Sequence, residues 1–150
     1  MHATRGGTGE VYLDSNVVFY SASADRVFGP SCSVILQDIQ EGRLRAAASI
    51  LIVPEVANTM FRSGRAKGMD RVTAAMTSLP LRFHDVTEPV VLEGVRLSRL
   101  ASASPYDGIH AATMQVLGIS VILSADTDFD RFAGITRLDP RVYTASHDPT

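Results

Sequence analysis

The sequence predicts an α/β fold of three layers, α/β/α, in which helices cover both faces of a central, mainly parallel β-sheet. Short β-prone runs alternate with longer segments of helical periodicity along the chain. That alternation is typical of parallel sheets built through right-handed crossovers. The length of 150 residues suits one core better than two. We therefore expect a single domain over 1–150, with an ordered core at about 10–143 and flexible termini.

Five runs predict strands, and six intervening segments predict helices. The strands are expected at 10–13, 46–53, 81–86, 119–123 and 136–138, where apolar and β-branched residues concentrate. The helices are expected at 17–24 and 31–41, from Pro54 to the region of Gly64 and Gly68, and at 70–79, 87–100 and 106–117, with helical spacing of apolar residues and Pro or Gly near several ends. In the fifth of these helices Val91, Leu92, Val95 and Leu100 form one apolar side.

Composition excludes several classes of protein. Hydrophobic residues make up 45% and charged residues 20% of the chain, which is close to the globular average. Cys32 is the only cysteine, so a disulfide framework or a cysteine-based zinc site is excluded and a cytoplasmic protein is expected. No apolar run has the length of a membrane span, and the first ten residues do not resemble a signal peptide. The net charge of −2 argues against a simple basic nucleic-acid binder, unless acids gather around cations.

Four acidic residues fall at strand ends or helix starts. Asp14 and Asp126 follow predicted strands, Glu55 lies at a strand-to-helix junction, and Asp107 lies in the first turn of a helix. Ligands of parallel sheets collect at the carboxyl ends of the strands. Carboxylates suit Mg²⁺, and two such ions about 4 Å apart catalyse phosphodiester hydrolysis. The neutral interpretation is that these acids are ordinary caps and turn residues.

Four motifs contain these acids and follow one another along the chain: Val-Tyr-Leu-Asp-Ser-Asn-Val (11–17), Val-Pro-Glu-Val (53–56), Tyr-Asp-Gly-Ile-His-Ala-Ala-Thr (106–113) and Leu-Ser-Ala-Asp-Thr-Asp-Phe (123–129). In this order they resemble the PIN-domain family, especially its VapC-like toxin ribonucleases, and the resemblance spans 11–141. It implies that Asp14, Glu55, Asp107 and Asp126 are the catalytic metal ligands. It also implies supporting roles for Asn16 and Ser124, the latter where the family often has Thr, and leaves the participation of Asp128 and Asp130 open.

The resemblance further implies a cofactor, a reaction and partners. The cofactor is Mg²⁺ or Mn²⁺, the reaction is endonucleolytic cleavage of RNA, and the partners are a second copy of the chain and a VapB-like antitoxin that covers the cleft. An activated water would attack phosphorus and leave a 5′-phosphate and a 3′-hydroxyl.

Four residues outside this set have two interpretations each. Arg62, Arg65 and Lys67 lie in the densest basic stretch and can clamp RNA phosphates or form a solvated helix end. His110 shares a helical face with Asp107, and we interpret it as a packing residue in preference to a ligand.

Three alternative functions stay open at this point. A receiver-type signalling domain also binds Mg²⁺ at strand ends, but it requires an acidic pair after the first strand and a lysine after the last. A small phosphatase requires a second acid two residues after Asp14, where this chain has Asn16. A non-catalytic PIN-like RNA-binding module is distinguished from an enzyme only by a cleavage assay.

Overall fold

The computed structural model describes the backbone of residues 9–146 and the side chains of residues 9–143. The predicted flexible termini lie mostly outside the described residues, at 1–8 and 147–150. Five parallel strands form one sheet: β1 (Glu10–Leu13), β2 (Arg45–Ser49), β3 (Arg82–His84), β4 (Val121–Leu123) and β5 (Thr136–Leu138). Their order is β3-β2-β1-β4-β5. The predicted α/β class with a parallel sheet is therefore confirmed.

Helices connect these strands across both faces of the sheet. Within residues 9–146 the α-helices are α1 (Ser15–Ala22), α2 (Gly29–Gln40), α3 (Ile52–Arg62), α4 (Met69–Ser78), α5 (Glu88–Ala101), α6 (Pro105–Leu117) and α7 (Pro140–Ser146). Short 3₁₀ helices occupy Ala66–Gly68 and Thr127–Arg131. None of the helices described is long and apolar enough to cross a membrane.

Side-chain alternation along the central strand β1 separates two cores. Val11 and Leu13 pack with residues of α1–α4 on one face of the sheet. Tyr12 points to the opposite face and packs with Met114 of α6 and Phe129. Because successive strand residues face opposite sides, the hydroxyl-bearing ring of Tyr12 is directed towards α6.

The second strand is shorter than the sequence predicts. The apolar run 46–53 was expected to be one strand, but β2 ends at Ser49 and α3 begins at Ile52. A short turn separates the two elements, in which the Ser49 hydroxyl accepts a hydrogen bond from the Leu51 backbone N–H at 3.1 Å. Periodicity cannot distinguish a buried strand from the first turn of a buried helix. The early start places Glu55 in the first turn of α3.

The face of α5 that packs on α6 differs in part from the apolar side expected from the sequence. Val90, Gly94 and Ser98 are the buried positions of α5, and Val91 packs beside Val90. The other three residues of the expected apolar side are exposed, Leu92 to 62%, Val95 to 50% and Leu100 to 60%. A Cβ atom at Gly108 of α6 would lie only 2.0 Å from the carbonyl oxygen of Gly94. The two helix backbones therefore approach closely, and this close approach holds the first turn of α6 in place.

The C-terminal helix α7 was not predicted. Pro140 starts the helix, and the Tyr143 hydroxyl donates a 2.6 Å hydrogen bond to the Oδ2 atom of Asp38 on α2. Tyr143 is buried in the core on that face of the sheet. Because this helix is only seven residues long, its packing against α2 accounts for its stability better than local propensity does.

Candidate metal centre

The carboxyl ends of β1 and β4 lie side by side and carry the first components of the site. The backbone N–H of Asp14 donates to the carbonyl of Leu123 at 3.2 Å, so the chain leaves both strands at one point. Asp14 then caps the N-terminus of α1, where its Oδ1 atom accepts from the Ser15 N–H at 2.7 Å. Asp14 is thereby held at the end of the sheet and is only 5% exposed.

Asn16 and Ser124 hold the Asp14 carboxylate from the other side. The Ser124 hydroxyl donates to Oδ2 of Asp14 at 2.6 Å, and the Asn16 amide donates to the same oxygen at 3.0 Å. Ser124 Oγ also accepts from the Asp126 N–H at 2.9 Å. Burial raises the pKa of Asp14, and the hydrogen bond from Ser124 opposes that rise. One hydroxyl thus links Asp14 and Asp126.

Glu55 approaches Asp14 from α3. Donor atoms of Asp14, Glu55 and His110 all lie within 4.8 Å of one another. Glu55 is partly exposed, whereas His110 on α6 is fully buried. The Nε2 atom of His110 lies 2.6 Å from Oε1 of Glu55. The first group of the site therefore joins β1, α3 and α6.

His110 is also bonded on its other ring nitrogen. Its Nδ1 atom lies 2.7 Å from the hydroxyl of Tyr12, which itself accepts from the backbone N–H of Ser49 at 3.0 Å. Burial opposes the charged imidazolium, but the hydrogen bond to Glu55 and the nearby carboxylates raise the pKa of His110 overall. The packing role expected for His110 therefore comes with a polar contact to a predicted site residue.

A second group of carboxylates lies beside the first. Donor atoms of Asp107, Asp126 and Asp128 lie within 4.8 Å of one another. Asp126 caps the 3₁₀ helix that follows β4, accepting from the Asp128 N–H at 2.9 Å. Burial raises the pKa of Asp107 to about 7, assisted by the negative charges of Asp126 and Asp14. Because the charge of Asp14 also raises the pKa of Asp107, the two groups of carboxylates share one electrostatic environment.

The central carboxylates have no lysine or arginine partner, and the neighbouring His110 offsets only part of their charge. Among residues 9–143, no Lys or Arg forms an ion pair with Asp14, Asp107 or Asp126. A buried carboxylate without a counter-charge is costly, and a divalent cation with oxygen ligands relieves that cost. The donor set therefore fits a hard divalent cation.

The remaining predicted residues lie in different places. Arg62 lines a groove of about 550 Å³ together with Glu55, Asn58 and Tyr106. Arg65 instead lies over the ring of Phe19, and Lys67 is exposed in the 3₁₀ helix after α3. Arg62 is thus the member of the basic stretch that shares a groove with an acid of the site.

Asp130 has a different partner. It is exposed, and its carboxylate pairs with Arg137, whose Nε atom lies 3.0 Å from Oδ1. Asp128 belongs to the second carboxylate group and lies 3.7 Å from Arg131. The structure thus separates two acids that the sequence left equivalent.

A parallel sheet with carboxylates clustered at the carboxyl ends of its strands is typical of α/β proteins that bind metal ions. Comparison with known proteins identifies the family. The PIN domain family model matches residues 11–135. The chain belongs to the PIN-domain family. No curated protein matches its sequence significantly.

Solved structures share this fold at low sequence identity. A toxin-antitoxin complex from Klebsiella pneumoniae contains a chain with 18% identity and a TM-score of 0.62, covering 87% of this chain and 97% of that one. The sarcin-ricin loop cleaving toxin VapC20 from Mycobacterium tuberculosis has 16% identity and a TM-score of 0.69, covering 83% and 98%. VapBC2 from Rickettsia felis, bound to a promoter DNA fragment, has 13% identity and a TM-score of 0.65, covering 86% and 97%.

Strand order also decides against the receiver-type alternative. Receiver domains have the order 2-1-3-4-5, whereas this sheet has the order β3-β2-β1-β4-β5. The two topologies place different strand ends at the switch point where ligands bind.

Sequence inspection missed the contribution of Tyr12 and undervalued that of His110. The available signal was a tyrosine between two aliphatic residues, Val11 and Leu13, two residues before Asp14. Since alternation directs Tyr12 away from Val11 and Leu13, its hydroxyl needs a polar partner on the α6 side. Which partner it finds depends on how α6 packs on the sheet, and this is a tertiary property.

Proposed function

We propose that this chain, a single PIN domain over 1–150, is a metal-dependent endoribonuclease of the VapC toxin type. The observation that carries the proposal is the convergence of Asp14, Glu55, Asp107 and Asp126 at one edge of the sheet, with Asp128 beside them. Membership of the PIN-domain family supports the same activity, and the VapC20 toxin, which shares the fold, cleaves the sarcin-ricin loop.

The four predicted acids are the proposed ligands for Mg²⁺ or Mn²⁺. When bound, such cations supply a nucleophilic water at neutral pH and stabilise charge on the phosphate. Asp14 is held rigidly by Ser15, Asn16 and Ser124, so its free lone pairs have a defined direction. Rigid ligands favour one geometry of the reacting phosphate over others.

The groove beside Glu55 offers a path for RNA. Glu55, Asn58 and Arg62 recur at helical spacing on α3, and Tyr106 lies across from them at 60% exposure. We propose that Arg62 contacts a phosphate and that the Tyr106 ring stacks on an unpaired base, as single-stranded RNA recognition commonly requires. Arg65 and Lys67 are proposed as peripheral phosphate contacts, because both are exposed near the end of this helix.

Two protein partners complete the proposal. Leu92 and Val95 leave an apolar face of α5 exposed, and we assign this face to a homodimer. A VapB-like antitoxin is proposed to cover the acidic cleft, in line with the toxin-antitoxin complexes that share the fold. We also propose a cytoplasmic location, which the single cysteine, buried and free, supports. An antitoxin seated over the cleft is expected to abolish RNA cleavage when it is added in equimolar amount.

The test of the proposed activity is an RNA cleavage assay on purified wild type and Asp14→Asn, with Mg²⁺, with Mn²⁺ and with EDTA. We expect metal-dependent cleavage by the wild type, products with 5′-phosphate ends, and a loss of at least ~100-fold in the variant, comparable to removal of one electrostatic catalytic group. Asp85→Asn, at an exposed position outside the clusters, is the matched control. Cleavage that survives in Asp14→Asn contradicts the assigned role.

A further inference from the structure

A continuous hydrogen-bonded chain runs from the core of the sheet to the metal centre. It begins at the Ser49 N–H, passes through the Tyr12 hydroxyl at 3.0 Å and both nitrogens of His110 at 2.7 and 2.6 Å, and ends on Glu55. Tyr12, Ser49 and His110 are each fully buried. Only the last member, Glu55, is partly exposed.

The bond between His110 and Glu55 has a defined direction. The Glu55 carboxylate accepts, so Nε2 of His110 carries the proton that is donated to it. In the neutral ring Nδ1 accepts from the Tyr12 O–H, and in the imidazolium Nδ1–H donates to the Tyr12 oxygen. In both charge states the contact with Tyr12 holds the ring so that Nε2–H faces the carboxylate.

This arrangement separates His110 from the role of a metal ligand. Ligation requires a free nitrogen lone pair, and both nitrogens of His110 are already directed at hydrogen-bond partners. The ring is also clamped by edge contacts with Tyr12 and Phe129 at centroid distances of 5.7 and 6.4 Å. Such a ring cannot turn towards an ion without breaking buried hydrogen bonds.

We propose that Tyr12 and His110 are positioning residues that fix the Glu55 carboxylate for metal binding, a role that rests on the proposed metal-dependent function. Glu55 is on α3, whereas Asp14 and Asp107 are on other elements. A contact from a neighbouring element is therefore needed to hold the Glu55 carboxylate towards them. One oxygen of Glu55 is held by His110, which leaves the other oxygen for the cation. Hydrogen-bonded partners of ligands typically change metal affinity by about 10–100-fold.

The experiment is a Mn²⁺ titration of the full chain, in which the EPR signal of free Mn²⁺ gives the affinity independently of cleavage. The variants are His110→Leu, which removes the donor, His110→Gln, which keeps an N–H near the position of Nε2, and Tyr12→Phe. Tyr143→Phe is the matched control, because it removes a buried hydroxyl that bonds Asp38 on α2. Each variant is repeated in a Glu55→Ala background to form a double-mutant cycle.

We expect His110→Leu to weaken Mn²⁺ binding by about 10–100-fold, with His110→Gln close to wild type and Tyr12→Phe intermediate. Tyr143→Phe is expected to keep the wild-type affinity. In the Glu55→Ala background, His110→Leu is expected to cause no further loss, since it acts through Glu55.

Two outcomes overturn the assignment of His110. One is equal loss in His110→Leu and His110→Gln, and the other is an undiminished loss in the Glu55→Ala background. If circular dichroism shows that His110→Leu does not fold, Tyr12→Phe and His110→Gln decide the question by the same criteria. Failure of the wild type to bind Mn²⁺ refutes the metal centre itself, and with it this role; normal wild-type binding with unaffected variants refutes only the positioning role.

Discussion

Replacement of Asp107 by Asn is expected to stabilise the metal-free protein while it disables the proposed metal centre. Asp107 is partly buried and lies next to Asp126 and Asp128. Its carboxylate raises the energy of the folded state whenever it is ionised without a cation. Asn removes the charge and keeps the size of the side chain.

The size of this effect follows from the raised pKa of Asp107. A change from the ordinary value of 3.8 to about 7 corresponds to at most about 4 kcal/mol of differential interaction. Partial exposure and salt screening reduce that figure, and we expect Asp107→Asn to gain about 1–3 kcal/mol at pH 8 in EDTA.

The gain has a defined pH dependence. Between about pH 4 and pH 7 the folded wild type retains a proton on Asp107 that the unfolded chain has released, so wild-type stability falls as the pH rises through this window. The variant lacks this term. Its advantage is therefore largest at pH 8 and shrinks as the pH is lowered towards 4.

Urea unfolding in EDTA at pH 5 and pH 8 measures both quantities, and the same samples are titrated with Mn²⁺. The exposed Asp85→Asn substitution is the control and is expected to change stability by less than about 0.5 kcal/mol. Equal stability of wild type and Asp107→Asn at pH 8, or an unchanged Mn²⁺ affinity in the variant, refutes the argument that Asp107 is an uncompensated ligand.

Three further predictions concern the parts that support the site. Ser124→Ala removes the hydroxyl that joins Asp14 to Asp126 and is expected to lower Mn²⁺ affinity by about 10–100-fold, whereas Ser124→Thr keeps near wild-type affinity in the same titration. Gly108→Ala places a methyl group against the Gly94 carbonyl and is expected to cost about 1–3 kcal/mol or more in urea unfolding; an unchanged midpoint contradicts the close approach of α5 and α6. Leu92→Glu on the exposed face of α5 is expected to convert a dimer to a monomer in sedimentation equilibrium without loss of fold, and a persistent dimer assigns the interface elsewhere.

The sequence alone was sufficient to predict a parallel sheet and to predict that the acids lie at strand ends and helix starts. The strand predicted before Asp14, the helix predicted at 106–117 and the last predicted strand all agree with the structure. These features depend on neighbours close in sequence, because β-branched runs, capping hydroxyls and left-handed glycines act within a few residues. The parallel arrangement followed from the alternation of the elements.

Helix faces and side-chain pairing were decided only by the tertiary structure. The face of α5 that packs inward contains Gly94 and Ser98 because α6 approaches closely, and this distance is set by another helix and not by the hydrophobicity of α5. Likewise, α7 is joined to α2 by a bond between Tyr143 and Asp38, which are 105 residues apart.

The acids show the same division between local and tertiary information. The sequence determined that carboxylates would stand at strand ends and helix starts, since those positions are defined locally. The grouping of Asp14 with Glu55, and of Asp107 with Asp126 and Asp128, was decided by how α3 and α6 pack on the sheet. Contacts between residues distant in the chain depend on this packing, because the distance and angle between two elements are not fixed by the residues of either element alone.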